Sequence, residues 1–268
     1  MIINTHAYAR AGLIGNPSDG YFGKTISFIL RNFSAKVTCY ESPRITIIPR
    51  HTDRMQFDSI AGLVEDVKLN GYYGGMRLIK ATIKRFHEYC CEKGIQLDSR
   101  CFTIEYETDV PVRVGLAGSS AIVTACLRAL MSFYGVEVAK PVMPNLILSV
   151  ELDELGIGAG LQDRVIQTYE GAVFMNFDRG LMESQGFGEY EPLPVAKLPP
   201  LFVAYHSNLA EGTEVTHNDL RSRWNRGEEE VVDAISEFAS YAQQAKDLIE
   251  AGNGEQIEIG RASCRERV

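Results

Sequence analysis

No apolar run in this sequence approaches the roughly 20 residues that a membrane-spanning helix needs. The opening stretch, MIINTHAYAR, also lacks the apolar segment of a secretory signal. Cysteine is present but unpatterned: of six, none forms a CxxC pair, Cys90 and Cys91 are neighbours, and Cys264 stands close to the end. That set suits neither a zinc knuckle nor a disulfide scaffold, and it reads as reduced thiols of a cytoplasmic protein. Positive charge is scarce, with 27 Lys and Arg against 35 Asp and Glu and a net charge of −8. A nucleic-acid partner is therefore not expected, since it calls for a basic face. An anionic small molecule remains open, because a few clustered arginines outweigh a global deficit locally. The five histidines are dispersed, and none stands at metal-ligand spacing from another. No internal repeat and no low-complexity linker breaks the chain.

What is present is the make-up of an ordinary folded domain: 45% hydrophobic and 23% charged over 268 residues, enough for one large core or two small ones. The most informative stretch runs from Pro111 to Ala125, PVRVGLAGSSAIVTA. Small residues end in Gly115, Gly118, Ser119 and Ser120, and an apolar run of helical character follows directly. A helix opening there leaves backbone N–H groups unpaired at the positive end of its dipole. Glycine admits an anion close to the main chain, and the serines add hydroxyls. The string reads as a phosphate cradle, and equally as a capped helix with a flexible entry.

Patterning along the chain gives a mixed α+β arrangement rather than regular βαβ alternation. Strands are expected over 8–15, as a pair within 24–41, over 44–48, 102–106, 172–176 and 201–205. Helices are expected over 76–93, 120–134 and 145–155, from about 159 onward, and in two pieces across 218–251. Three motif-like strings mislead. SDGYFGKT (18–25) is one residue short of a Walker loop and feeds a strand-like segment instead of a helix. Gly156-Ile-Gly158-Ala-Gly160 lacks both the third glycine and the preceding strand of a dinucleotide fingerprint. Ser119 and Ser120 lack the downstream glycine of a nucleophile elbow.

Three stretches taken together resemble the GHMP sugar kinases, and within them the glucuronokinase branch. They are ARAGLIGNPSDGYFGKT (9–25), PVRVGLAGSSA (111–121) and ELDELGIGAGLQDR (151–164), supported by GYYGG (71–75) and Pro144-Asn145-Leu146. The loop carries one residue more than the common Gly-Leu-Gly-Ser-Ser form, as that branch does. The resemblance spans about residues 6–256. It implies a two-lobed α+β fold: a ribosomal S5 domain 2-like, ATP-binding lobe over 1–180, and the start of a ferredoxin-like lobe over 181–257. Residues 258–268 (EIGRASCRERV) resemble translated adapter DNA and are set aside. The superfamily's third, glycine-rich motif is not found before them. The expectation is therefore a chain lacking its natural C-terminus, with an incomplete second lobe and poor solubility.

The resemblance further implies transfer of the ATP γ-phosphoryl group to the anomeric hydroxyl of D-glucuronate, with Mg²⁺. Another sugar (galacturonate, galactose or a heptose) and a catalytically inactive ligand-binding descendant are the alternatives. Pro111, Gly115, Leu116, Ala117, Gly118, Ser119, Ser120 and Ala121 would cradle the phosphates. Ser120, or in second place Ser119, would join Glu151 on Mg²⁺. Asp163 would orient or deprotonate the sugar hydroxyl, with Arg10 beside the reacting oxygen. Asp19, Lys24 and Arg164 would bind the substrate. Arg31, Arg77, Arg113 and Arg164 are the candidates for its carboxylate, and the sequence does not choose among them.

Overall fold

The computed structural model describes residues 1–50, 53, 59–60, 74–112, 114–205 and 214–257, with side chains over 214–219 excepted. The spine is one long strand, β2 (Lys24–Ser42). β1 (Ile2–Ile14) runs antiparallel along its whole length. On the other side two strands share β2 end to end. Its second half pairs with β4 (Cys101–Thr108), whose far edge takes β3 (Thr46–Ile48) in parallel. Its first half pairs with β5 (Ala172–Asn176), which is followed by β6 (Glu189–Leu193).

The strand pair expected within 24–41 is thus a single strand. The polar Arg31-Asn32 interruption is a bulge, not a turn: β1 pairing jumps from Tyr8↔Ser34 to Ala9↔Leu30. The strand expected over 201–205 does not form. Its composition is β-like, but it pairs with no strand among the described residues, and Phe202 is exposed.

Helices cover both faces. α1 (Gly75–Glu92), α2 (Gly118–Tyr134) and α3 (Met143–Ser149) pack with the β1, β2 and β4 side chains around Ile79, Phe86, Ile104, Leu127, Leu130 and Ile147. α2 is apolar on nearly every side because it is central. β5 lies between two helices. Ala172 and Phe174 face α7 (Glu229–Glu250), while Val173 and Met175 face α4 (Leu161–Tyr169), so the strand is a continuous apolar run. α5 (Arg179–Gln185) joins β5 to β6, and α6 (Glu214–Asn225) precedes α7.

The helix expected over 145–155 is shorter. After Ser149 the backbone widens into a π turn, Val150–Glu154, which turns Glu151 inward. Among the described residues no helix is long and apolar enough to cross a membrane. Cys39, Cys90, Cys91, Cys101 and Cys126 are free thiols.

Candidate active site

The loop before α2 reaches its helix through two left-handed residues, Gly115 (φ 75°) and Ala117 (φ 60°). Leu116, between them, is buried with Ala9 and Val110 and anchors the loop on β1. The first bond of the helix ladder runs from the Ala121 N–H to the Ala117 carbonyl at 3.1 Å. The amides of Gly118, Ser119 and Ser120 precede that ladder, at the positive end of a 17-residue helix. Pro111 lies at the half-buried start of the loop, and Ala121 is fully buried beneath it.

The two serines face opposite ways. Ser120 is buried, and its hydroxyl donates back to the Ala117 carbonyl at 3.1 Å. Ser119 is exposed and donates to Glu151 Oε1 at 2.7 Å. Glu151 is 1% exposed, and its other oxygen takes Arg164 Nη2, also buried. Arg164 adds a 2.8 Å bond to the Gly160 carbonyl, and its Nη1 stands 3.4 Å from Asp163 Oδ2. Burial works against its charge, but Glu151 and Asp163 outweigh that and hold the guanidinium above its ordinary pKa.

Asp163 projects from the first turn of α4. Its Oδ1 accepts Arg10 Nε at 2.6 Å and Nη2 at 2.5 Å. Arg10, on β1, also donates from Nη1 to the Gly115 carbonyl at 3.0 Å and from its backbone to Leu116 at 3.2 Å. A continuous polar chain therefore runs Arg10–Asp163–Arg164–Glu151–Ser119 along the mouth of the cradle.

Asp19 sits in a 3-10 turn, Ser18–Tyr21, facing the start of α4. Its Oδ2 accepts the Gln162 N–H at 3.3 Å. Any side chain at Gly160 would overlap that oxygen, so glycine is required for the approach. Desolvation, reinforced by the Asp163 charge, pushes the Asp19 carboxyl up from 3.8 to about 6, against the pull of Gln162, Arg10 and Gly20.

The structure disperses the remaining candidates. Lys24 Nζ bonds Gln243 Oε1 of α7 at 2.9 Å. Arg31 is exposed, 3.9 Å from Glu170, and Arg77 donates to the Leu155 carbonyl at 2.9 Å. Arg113, the 71–73 part of the glycine-tyrosine block and the 258–268 tail lie outside the described residues.

Sequence reasoning missed two buried glutamines of α4. Gln167 Nε2 bonds the carbonyls of Tyr8 (3.1 Å) and Ala117 (2.9 Å), tying helix, strand and cradle together. Gln162 Nε2 bonds Ser27 Oγ at 2.6 Å. The signal was available, because fully buried glutamine is uncommon in a helix face that otherwise reads as core.

Among the described residues no group of three or more His, Cys, Asp or Glu is placed to hold a metal ion. Mg²⁺ on a nucleotide takes one or two protein oxygens and fills its octahedron with phosphate and water. The oxygen-only pair Ser119–Glu151 fits that demand.

Comparison with known proteins gives the same picture. Residues 77–171 match the model of the GHMP kinases N terminal domain. Probable glucuronokinase 2 of Arabidopsis thaliana is 43% identical over 249 residues, 91% of this chain and 68% of that protein. Glucuronokinase 1 of the same plant is 42% identical over 247 residues, again 91% and 68%. Among solved structures, a Lin0012 protein from Listeria innocua shares the fold with a TM-score of 0.77 at 13% identity, over 100% of this chain and 78% of that one. With the cradle, the acidic turn of α4 and these relatives in hand, the chain belongs to the GHMP kinase family.

Proposed function

We propose that this protein phosphorylates the anomeric hydroxyl of D-glucuronate, with ATP as donor and Mg²⁺ as its companion, giving glucuronate 1-phosphate. As a GHMP kinase it is a phosphotransferase with an alcohol acceptor; the sugar is the one that its Arabidopsis relatives are named for. The observation that supports the reading is the polar chain of Arg10, Asp163, Arg164, Glu151 and Ser119 beside one helix N-terminus, in which Asp163 would be the base, the two arginines the cations and Ser119 with Glu151 the metal ligands. The protein is read as cytoplasmic, consistent with its unpaired thiols.

Phosphoryl transfer depends on positioning and charge neutralisation. The amides of Gly118, Ser119 and Ser120 would hold phosphate oxygens. Ser119 takes the hydroxyl role that the sequence gives first to Ser120, because its oxygen is the one facing Glu151. Bound there, Mg²⁺ supplies charge neutralisation of the phosphates. Asp19 accepts hydrogen bonds from ring hydroxyls. Asp163, fixed through Oδ1 by Arg10, takes the proton of the anomeric hydroxyl as its oxygen bonds to the γ-phosphorus. The bond from that phosphorus to the bridging oxygen breaks, and ADP leaves with the electron pair. Arg10 stabilises the charge that gathers on the transferring group. The presence of Arg10, Asp163 and Glu151 in one chain of contacts argues against an inactive, ligand-binding role.

The test is ADP release from the purified chain with Mg·ATP and a panel of glucuronate, galacturonate, galactose and a heptose. Phosphorus NMR then identifies the product. A phosphoanomeric signal with glucuronate, above all others, is expected. Turnover of another sugar in preference to glucuronate would overturn the assignment.

A further inference from the structure

A uronate differs from a hexose by its carboxylate, which calls for a cation, and none of the three described sequence candidates supplies one at Asp19. Arg164 is committed to Glu151, Arg31 and Arg77 point elsewhere, and Arg113 lies outside the described residues. A fifth arginine, unremarkable in the sequence, stands beside the sugar wall. Arg221 of α6 donates from Nη1 to the Gly20 carbonyl at 2.8 Å, one residue after Asp19. Its guanidinium lies over the Tyr21 ring at 4.5 Å. A Cβ at Gly20 would stand 3.1 Å from Nη2, so the glycine lets the guanidinium rest on the main chain. Tyr21 is itself buried, against Val231, Ile235 and Phe238 of α7 and 5.1 Å from the Trp224 ring. An exposed arginine is thus mounted on a fixed aromatic platform.

Resting on the glucuronate reading, we infer that Arg221 is the residue that binds the substrate's C6 carboxylate and makes the enzyme selective for uronates. Among the described residues its contacts are a carbonyl and an aromatic ring, both uncharged, and it forms no ion pair with a carboxylate there. Every other cation on this wall that bonds an acid already has its charge answered: Arg10 by Asp163 and Arg164 by Glu151. A guanidinium has five donors in a planar fork, so one bond to Gly20 leaves a pair for a carboxylate. Stacking on Tyr21 fixes the plane of that fork in advance. Lys24 is the rival cation, but its ammonium is a point charge directed at Gln243 on α7.

Calorimetric titration of the full chain with glucuronate and with glucuronamide, its neutral amide, tests this. The wild type should prefer the acid. Arg221→Met should weaken glucuronate about 10- to 100-fold, the usual loss for a charge-assisted pair, and leave glucuronamide within about twofold. Arg221→Lys, which keeps charge but not the fork, should fall between and serves if the methionine variant fails to fold. A thermal melt matching wild type certifies each variant. Equal losses on acid and amide, no loss on either, or loss of selectivity in Lys24→Met in place of the arginine variants would overturn the inference alone. A wild type that binds a neutral hexose and not glucuronate overturns the glucuronate reading, and the inference with it.

Discussion

Replacing Asp19 by Asn should stabilise the protein at neutral pH while weakening its grip on the sugar. The carboxyl is raised from 3.8 to about 6, first by desolvation and then by the neighbouring Asp163 charge. The folded state therefore holds this proton more tightly than the unfolded chain does. Below about pH 4 the group is protonated in both states and costs nothing. Between about 4 and 6 the unfolded chain ionises first, so stability falls as pH rises; above about 6 both are ionised and the cost is constant. At about 1.4 kcal/mol per pH unit the full penalty is about 3 kcal/mol, trimmed toward about 2 by the solvent that reaches this half-buried group. Asn keeps an oxygen for the Gln162 N–H and removes the charge. Urea unfolding of wild type and Asp19→Asn at a series of pH values from 4 to 7.5 isolates the contribution of Asp19 together with its coupling to Asp163, since groups distant from it cancel in the difference. The variant should match wild type at pH 4 and gain about 2–3 kcal/mol by pH 7. A pH-independent difference, or an Asn variant less stable at pH 7, would refute the argument. The functional counterpart is a wild-type sugar KM that rises as pH falls through about 6.

Asp163→Asn should lower kcat by about 10²–10⁴-fold, the usual range for a lost general base, while nucleotide affinity measured by calorimetry stays put. Gly160→Ala places a methyl group on Asp19 Oδ2; a melt should show a loss of about 1–3 kcal/mol, as for other overpacked sites, and the sugar KM should rise with the ATP KM unchanged. Glu151→Ala strands a buried Arg164, so urea unfolding should report about 3–5 kcal/mol lost. Glu151→Gln, which still accepts from Arg164, should unfold near wild type but need more Mg²⁺ for half-maximal rate.

The fold was legible where pattern and partner coincide. β5 was placed residue for residue, because an apolar run bounded by Gly171 and Asp178 has few other readings. β2 was not. Alternation breaks at Arg31-Asn32, and nothing local separates a bulge from a turn when neither glycine nor proline marks it. The segment 201–205 shows the opposite failure, since composition promises a strand but only a neighbouring edge can supply one. β6, EYEPL, escaped notice because an edge strand tolerates charge and proline, which disguise it. The π turn at Val150–Glu154 likewise has no local signature: its sequence continues a helix, and packing widens it.

In the site the residues were legible and their pairings were not. Asp19, Glu151 and Asp163 stand in the same motifs as Arg10 and Arg164, whereas which arginine answers which acid is decided by tertiary contact. Glu151 and Arg164 are thirteen positions apart, a spacing that no helical or strand period connects. Burial forces the pairing, since an isolated ion there would be unaffordable. Three carboxylates gather around Arg164 in a chain of net charge −8, and the structure answers them unequally. Arg10 holds Asp163 and Arg164 holds Glu151. Asp19 forms no ion pair with an arginine among the described residues, and desolvation followed by the Asp163 charge raises its pKa. A carboxylate bound to a guanidinium has much of its acceptor capacity already spent. One without such a partner keeps its lone pairs for an incoming ligand, and hydroxyl donors relieve the strain of its desolvation. On the function proposed above, Asp19 is thus the acid with the most acceptor capacity to offer a polyhydroxylated substrate. That asymmetry follows from partner geometry, which is why no reading of the motifs alone could assign it.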